Sequence, residues 1–469
     1  MPTPPLHLTP HQPIHFSGIG GSAMNALARL FRSRGHIVTG TDPSLGAAVR
    51  ARLEAADIAI FSEQDGRHIP AHTQLLVATA ALPTNHPELA AAHARGIPVR
   101  KYAEVLGAVM SQSRGIAIAG THGKTTTSAM TVAALDASAL CPEFIIGGLY
   151  KDTARCPARD SALFVAEACE FDRSFLRLFP HIAVITNIEA EHLDIYRDLD
   201  DILDAFAAFA GNLPPDGTLV YCRDSLTACR VAERTTTCAR LSYGLAPDAD
   251  IRADHLRFAG GRMHFELHAP GLAPLHVSLG QPGSHNVLNA LAAFAVGRCV
   301  GAHPQALCDG LSAFAGVQRR FDSLGEHRGI HIIDDYAHHP TELRMLLAAA
   351  RQRHPDRRRV VLFQPHQVSR TRQLFGDFCA AFADVDLALV TDVFAARDGL
   401  SAENRTVAQA LAEGIQGQGT PARYLPTSAE LAQKLVAEVL REGDVFVTAG
   451  AGNVDDIARQ VCALLRDAP

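Results

Sequence analysis

The sequence predicts an α/β protein of three domains: a Rossmann-like N-terminal domain, a central P-loop-type ATPase domain and a C-terminal doubly wound domain. Three observations carry this. Short apolar runs alternate with helical patterns along most of the chain, which implies parallel strands joined by crossover helices. Several of those runs end in glycine turns or acidic residues that open a helix. The 469 residues, at about 150 per domain, suggest three domains, with two as the rival count.

The first block is residues 1–108. Ile14-His-Phe-Ser-Gly18 reads as a strand entering a glycine turn, Ala23 to Arg32 as a helix, and Ile37 to Asp42 as the next strand. Leu75 to Thr79 and Ile97 to Lys101 follow as strands, then a short helix through Met110. The second block, 109–318, opens on Ile116-Ala-Ile-Ala119 and continues with the buried-strand runs Leu163–Glu167 and Ile182–Thr186. Shorter alternating runs from about Leu219 to Leu279 suggest an antiparallel insert. The third block, 319–469, carries strands at Ile330–Asp335, Val360–Phe363, Leu387–Val390 and Val445–Thr448, separated by helical patterns.

Composition limits the function. Hydrophobic residues make up 47% of the chain and charged residues 20%, enough for several cores. The formal charge of −6, with no basic block, argues against nucleic acid as a partner. No run of about 18 apolar residues suggests a membrane span, and the N-terminus lacks the basic start and apolar core of a signal peptide. The ten scattered cysteines fit neither a zinc ribbon nor a disulfide framework, so reduced thiols and a cytoplasmic location are expected.

The most informative motif is Gly120-Thr121-His122-Gly123-Lys124-Thr125-Thr126, between a strand and a helix. Glycines let backbone N–H groups close on phosphate oxygens. The helix N-terminus adds partial positive charge, Lys124 a full one, and the Thr125 hydroxyl suits Mg²⁺. The strict P-loop has four residues between its glycines and this turn has two. Yet the chain has only four lysines, Lys101, Lys124, Lys151 and Lys434, amid abundant arginine. A lysine kept at this turn points to a nucleotide triphosphate.

Other constellations sit at strand ends, where ligands of open α/β sheets collect. Gly18-Ile19-Gly20-Gly21-Ser-Ala23, with Asp42 ending the next strand, fits the dinucleotide fingerprint. It physically demands a diphosphate, which a UDP-sugar supplies as well as NAD does. Glu167 and His192 close two further strand segments and, with Thr125, make a workable Mg²⁺ site; Glu170 and Asp172 are equally explained as a solvated first turn. His285, Asn286 and Asn289 open a helix, and amides at i and i+3 suit the edge of a base. Arg319 and Arg320 place two cations at the second junction, suited either to a transferring γ-phosphate or to an interdomain salt bridge. Asp335 suits a ribose hydroxyl. His338 and His339 either orient substrate or cap the helix that Pro340 opens. His366, Arg370 and Arg372 offer groups for a carboxylate.

Taken together, the Gly120–Thr126 turn, Glu167, Asn187 with His192, His285-Asn286 with Asn289, Arg320-Phe321 and Asp335 give the chain a strong resemblance to the Mur ligases. These are the ATP-dependent amide-forming enzymes of peptidoglycan precursor synthesis. The resemblance covers nearly the whole length. Gly18–Met24, Asp334–Glu342, Phe363–His366 and Ser369–Thr371 point to the branch that joins L-alanine to UDP-N-acetylmuramate. So does the lack of any lysine between Lys151 and Lys434, where most later ligases carry a carbamylated one. The cousin branch attaches the tripeptide L-Ala-γ-D-Glu-meso-diaminopimelate instead. Three departures stand out: Cys169 and Phe171 replace the family's Asp and Ser, and Gln367-Val368 replaces Arg-Tyr.

The resemblance implies ATP and Mg²⁺ as cofactors and an acyl-phosphate intermediate on the lactyl carboxylate of UDP-N-acetylmuramate. It implies catalytic roles for Lys124, Glu167, His192, Arg320 and His338. ATP would be held by Gly120–Thr126, His285, Asn286, Asn289, Arg320 and Asp335. The UDP-sugar would be held by Gly18–Gly21, Asp42, Asn187 and His192, the metal by Thr125, Glu167 and His192, and the amino acid by His366, Arg370 and Arg372. A monomer or weak homodimer is expected. The rival classes, an NAD(P) oxidoreductase and a non-catalytic nucleotide switch, leave Lys124 or the outer domains without a purpose.

Overall fold

The computed structural model describes residues 6, 8–151, 161–192, 195–394 and 402–467. Three sheets organise them. The first is wholly parallel, in the order β3-β2-β1-β4-β5. Its strands are β1 (Pro13–Ser17), β2 (Ile37–Thr41), β3 (Ala59–Phe61), β4 (Leu75–Ala78) and β5 (Val99–Lys101). Helices α1 (Ser22–Ser33), α2 (Ala47–Ala55), α3 (Pro87–Ala94) and α4 (Tyr102–Met110) connect or follow them. Met24, Leu27, Ala28, Leu30 and Phe31 recur at helical spacing, and that stripe buries α1 against the sheet.

The second sheet has nine strands, in the order β14-β13-β12-β11-β10-β9-β6-β8-β7. They are β6 (Arg114–Ala119), β7 (Glu143–Ile145), β8 (Leu163–Glu167), β9 (Ile182–Ile185), β10 (Thr218–Cys222), β11 (Ala239–Gly244), β12 (Ile251–Ala259), β13 (Arg262–His268) and β14 (Leu275–Leu279). Its helices are α5 (Lys124–Ala137), α6 (Leu199–Ala210), α7 (Leu226–Arg234), α8 (Ser284–Cys299) and α9 (Pro304–Ala313). β6 lies between β8 and β9, parallel to both. A central parallel strand is covered on both faces, which explains its unbroken apolar run. The antiparallel insert is smaller than the alternation suggested. β10 and β11 extend the parallel part of the sheet, because Leu219, Val220 and Cys222 are buried alike. The two-residue turn Gly260-Gly261, with positive φ at both positions, joins β12 to its neighbour β13, and β14 lies beyond β13 at the edge.

The third sheet runs β15-β16-β20-β17-β18-β19, with only edge strand β15 antiparallel. Its strands are β15 (Asp322–His327), β16 (Ile330–Asp335), β17 (Arg359–Phe363), β18 (Leu387–Val390), β19 (Ala422–Tyr424) and β20 (Val445–Ala449). Helices α10 (Pro340–Arg353), α11 (Val368–Gln373), α12 (Phe375–Ala380), α13 (Ala402–Gly417), α14 (Leu431–Lys434) and α15 (Val454–Asp467) surround it. Apolar clusters lie on both faces, one around Phe363, Phe378 and Phe382, the other around Leu362, Phe446 and Val461. Helices on both faces of a mostly parallel sheet are the doubly wound arrangement expected.

Two compact units result. One comprises Met1–His255, Phe265–Val277 and Leu288–Phe314; the other Leu256–His264, Ser278–Val287 and Ala315–Pro469. Within the first unit the two sheets are fastened by a largely buried ion pair. Arg34, just after α1, binds both carboxylate oxygens of Glu143 in β7 and also donates to Gln112 at 3.1 Å. Glu143 is 2% exposed, so the pair is desolvated and its fork geometry fixes α1 against β7.

Candidate active site

β6 delivers its carboxyl end to the turn Gly120–Gly123. Gly120 has φ +135°, and a Cβ there would lie 2.0 Å from Thr186 Oγ1, so only glycine fits. The turn is clamped by the segment after the neighbouring strand β9. Thr121 N–H donates to the Asn187 carbonyl and His122 N–H to Asn187 Oδ1, both at 2.9 Å. Asn187 Nδ2 and Thr186 Oγ1 donate back to the His122 carbonyl at 3.1 and 2.7 Å. Sequence grouped Asn187 with the UDP-sugar. The structure places its amide on the Gly120 turn.

Gly123, in the left-handed region, starts α5 without a side-chain cap, so the first-turn N–H groups face outward. Asn289 packs beneath, its Oδ1 accepting from Thr127 at 3.0 Å. Lys124 folds back over the turn. Its Nζ donates to the Gly120 and Thr121 carbonyls and to both oxygens of Glu170, at 3.0 and 2.9 Å. Burial alone would depress this ammonium, but the Glu170 carboxylate raises it well above the ordinary lysine range. Glu170 is therefore a structural partner of Lys124, 3% exposed, rather than a solvated first-turn acid.

Thr125 Oγ1 donates to Glu167 Oε2 at 3.1 Å, and Gly147 N–H to Glu167 Oε1 at 2.6 Å. His192 has left-handed backbone and sits 4.0 Å from Glu170 Oε1. Glu170, Glu191 and His192 bring one ligand atom each within 4.8 Å of one another. Two carboxylates and one imidazole are a donor set that fits Mg²⁺; His192 thus groups with Glu170 and Glu191, while Thr125 and Glu167 pair with each other. Phe171, a departure from the family pattern, stacks edge-on against His192 at 5.2 Å, so it holds the imidazole by packing. Thr126 is half-buried in the first turn of α5.

The Gly18 turn is built differently. Gly18 and Ile19 N–H groups donate to the Thr41 carbonyl at 2.8 and 3.1 Å. Gly20 N–H donates to Asp42 Oδ2 at 2.9 Å, while Asp42 Oδ1 takes the N–H and hydroxyl of Ser44. Ile19 is a core side chain, 0% exposed. Thus Gly18, Ile19 and Asp42 shape the turn, and the groups left facing outward are those of Gly21 and the uncapped start of α1. A cavity of about 170 Å³ runs from Ser22 to Glu167, lined by Tyr102, Leu106, Ile145 and Phe175.

In the second unit the residues predicted from β16 and β17 converge. Asp335 accepts N–H bonds from Phe321 and Ala337 at 2.6 and 2.7 Å. Burial nonetheless pushes its carboxyl, like that of Asp334, up to about 6. The Arg319 and Arg320 guanidiniums lie 4.9 and 5.2 Å from the Tyr336 ring centre. Arg319 also donates to the Gly450 and Gly452 carbonyls, which gives the glycine turn after β20 a role. His339 caps α10, accepting from Thr341 N–H, with Glu342 completing the box. His338 instead faces His366, ring centres 5.8 Å apart, and His366 Nδ1 is 3.1 Å from Arg370. Arg372 pairs with Glu403. Gln367 takes φ +69°, its N–H donating to the Phe394 carbonyl. Asn286 donates to the Pro282 carbonyl at 2.7 Å. His285, its imidazole pushed down to about 4 by burial, lines a cavity of about 410 Å³ with Met263, Arg344 and Met345.

A strand, a glycine turn with lysine and threonine, and carboxylates on the next parallel strand define a nucleotide-binding α/β protein of the phosphate-loop type. Models of known families match along the chain: the Mur ligase family catalytic domain at residues 13–114, the Mur ligase middle domain at 118–297, and the Mur ligase glutamate ligase domain at 319–452. The chain belongs to the Mur ligase family. It is 41% identical over 464 residues to UDP-N-acetylmuramate–L-alanine ligase of Chromobacterium violaceum, covering 96% of this chain and 98% of that protein. The same-named ligase of a Geobacter species is 38% identical, covering 97% and 98%. Among solved structures, UDP-N-acetylmuramate-alanine ligase MurC of Thermotoga maritima superposes with a TM-score of 0.82 at 25% identity, covering 97% of this chain and 99% of that one. Murein peptide ligase of Psychrobacter arcticus shares the fold, with a TM-score of 0.73 at 24% identity over 98% and 99%.

Proposed function

We propose that this protein is an ATP-dependent ligase that joins L-alanine to the lactyl carboxylate of UDP-N-acetylmuramate, in the cytoplasm, as a step of peptidoglycan precursor synthesis. The observation that carries this reading is identity of 41% across 98% of a ligase named for that reaction. The proposed domains are 1–108 for the UDP-sugar, 109–318 for ATP and 319–469 for the amino acid, working as a monomer or weak homodimer.

The uncapped start of α1, with Gly21, is proposed to hold the UDP diphosphate, and the Gly120–Thr126 turn the ATP phosphates. Lys124 would exchange its Glu170 contact for phosphate oxygens. Mg²⁺, held by Thr125, Glu167 and His192, would supply charge neutralisation where the carboxylate meets the γ-phosphate. Arg320 is proposed as a phosphate-binding cation; Asn289, through Thr127, would steady the Gly120 turn, and Asp335, through Phe321 and Ala337, the segment that carries Arg320. The carboxylate attacks the γ-phosphorus, ADP departs, and the alanine amine then attacks the acyl carbon and displaces phosphate. His366 and Arg370, aligned by their mutual contact, are the proposed grip on the alanine carboxylate, with His338 beside them.

Mass spectrometry of a reaction holding ATP, Mg²⁺, UDP-N-acetylmuramate and L-alanine tests this. The expected products are the amide and ADP in equal amounts. ADP formed without the amide, or nicotinamide turnover in its place, would overturn the reading.

A further inference from the structure

Beneath the Gly18 turn lies a cluster of polar side chains sealed from solvent. His15, Ser17, Thr41 and Glu88 are each 0% exposed and Thr39 is 9%. Side chains alternate along a strand. Ile14, Phe16 and Val38 turn toward the α1 core, so His15, Ser17, Thr39 and Thr41 occupy the opposite face. Glu88, from the first turn of α3, reaches that face. Its Oε2 accepts from Ser17 Oγ and, at 2.8 Å, from Thr41 Oγ1. Its Oε1 lies 3.3 Å from His15 Nε2, whose Nδ1 is 2.7 Å from Thr39 Oγ1. Burial pushes the Glu88 carboxyl up, yet its bonds with His15, Ser17 and Thr41 outweigh this and hold it below the usual carboxylate range.

A buried carboxylate is a costly way to fill a core, where a packed apolar side chain often serves stability as well or better. The position of this one suggests a different service. Ser17 immediately precedes Gly18, and Thr41 immediately precedes Asp42. The Thr41 carbonyl receives the Gly18 and Ile19 N–H groups, and Asp42 receives that of Gly20. Both strand ends from which the turn hangs are therefore pinned to one carboxylate.

We propose that Glu88 is a positioning residue for diphosphate recognition: by tying Ser17 to Thr41 it sets the height of the Gly18–Gly21 turn, and with it the affinity for the UDP-sugar. This rests on the reading of that turn as the UDP-sugar site. Titration calorimetry with UDP-N-acetylmuramate, alongside steady-state kinetics of the full chain, tests both separately. Glu88→Leu removes both bonds to the hydroxyls. It should weaken UDP-sugar binding about ten-fold, in line with loss of hydrogen bonds to a charged group. KM for the UDP-sugar should rise in parallel, while kcat at saturation and KM for ATP stay as in the wild type. Glu88→Gln, which retains an acceptor for both hydroxyls, should restore binding. Ser17→Ala leaves Glu88 its other partners and should reproduce the loss if Glu88→Leu does not fold. Thr39→Val, at the far end of the cluster, should bind like the wild type. Unchanged affinity in Glu88→Leu and Ser17→Ala overturns the inference. So does a fall in kcat and a rise in KM for ATP alongside it, which would mark general loosening. A folded wild type that does not bind the UDP-sugar overturns the reading of the turn, and the inference with it.

Discussion

Replacing Lys124 by alanine should cost stability and activity by separable routes. Lys124 Nζ lies 3.0 and 2.9 Å from the two Glu170 oxygens. Their side chains are 16% and 4% exposed. Two unit charges at that distance attract by about 5–6 kcal/mol at an effective dielectric constant of about 20. Desolvation offsets much of that, but removing one partner leaves the other charge buried and alone, at a cost of about 3–5 kcal/mol. Residual exposure of Lys124 argues for the low end, about 3 kcal/mol. Lys124→Ala should therefore lower the unfolding free energy by about that amount. Circular dichroism in urea is the assay, since the chain has no tryptophan. Adding Glu170→Gln should recover most of the loss, because a neutral amide needs no counter-charge. Substrate-dependent phosphate release should fall at least about 100-fold in both variants, as for loss of a preorganised charge. UDP-sugar binding should survive in both. A double variant no more stable than Lys124→Ala, or one that regains turnover, would refute this reasoning.

Other expectations follow from the same geometry. Glu167→Ala should raise the Mg²⁺ concentration needed for half-maximal activity at least about ten-fold, as loss of one ligand in a hard-cation site implies; an unchanged Mg²⁺ curve removes Glu167 from the metal shell. Arg370→Ala should raise KM for alanine, whereas Arg372→Ala, whose guanidinium pairs with Glu403, should leave it unmoved; equal effects contradict the assignment. Asp335 gives a pH prediction. Its folded value is about 6 against 3.8 as the ordinary one, so the folded state holds the proton more tightly. The stability it contributes is complete below about pH 4 and is lost as pH rises through about 6, by up to about 3 kcal/mol. Urea titrations of Asp335→Asn and wild type should thus differ by an amount that changes between those two pH values and is constant outside them; a constant difference throughout contradicts it.

Much of this was legible because it is written locally. β6, β9 and β17 carry continuous apolar runs, since parallel strands are covered on both faces. Gly120 could be read as part of a phosphate turn because glycines, Lys124 and Thr125 sit together between a strand and a helix in a chain with only four lysines. What escaped the sequence depends on which strands become neighbours. β9 lies beside β6 although β7 and β8 intervene in the chain, and that order puts the Asn187 amide on the Gly120 turn. The Lys124–Glu170 pair is likewise tertiary, and no spacing rule separates it from a solvated acid. The fingerprint at Gly18 placed the turn correctly, but not the bonds by which Asp42 serves the turn itself. Of the two histidines before Pro340, His339 caps α10, while His338 has its Nδ1 3.3 Å from Glu342 and its ring 5.8 Å from that of His366, contacts that the sequence does not assign.

The measurement that bears most directly on the proposed reaction is phosphate release from ATP and Mg²⁺ with UDP-N-acetylmuramate, comparing free L-alanine with the tripeptide L-Ala-γ-D-Glu-meso-diaminopimelate as acceptor. The account predicts release that depends on free L-alanine and on the UDP-sugar together. Release with the tripeptide alone, or silence with every acceptor from a folded protein, would contradict it.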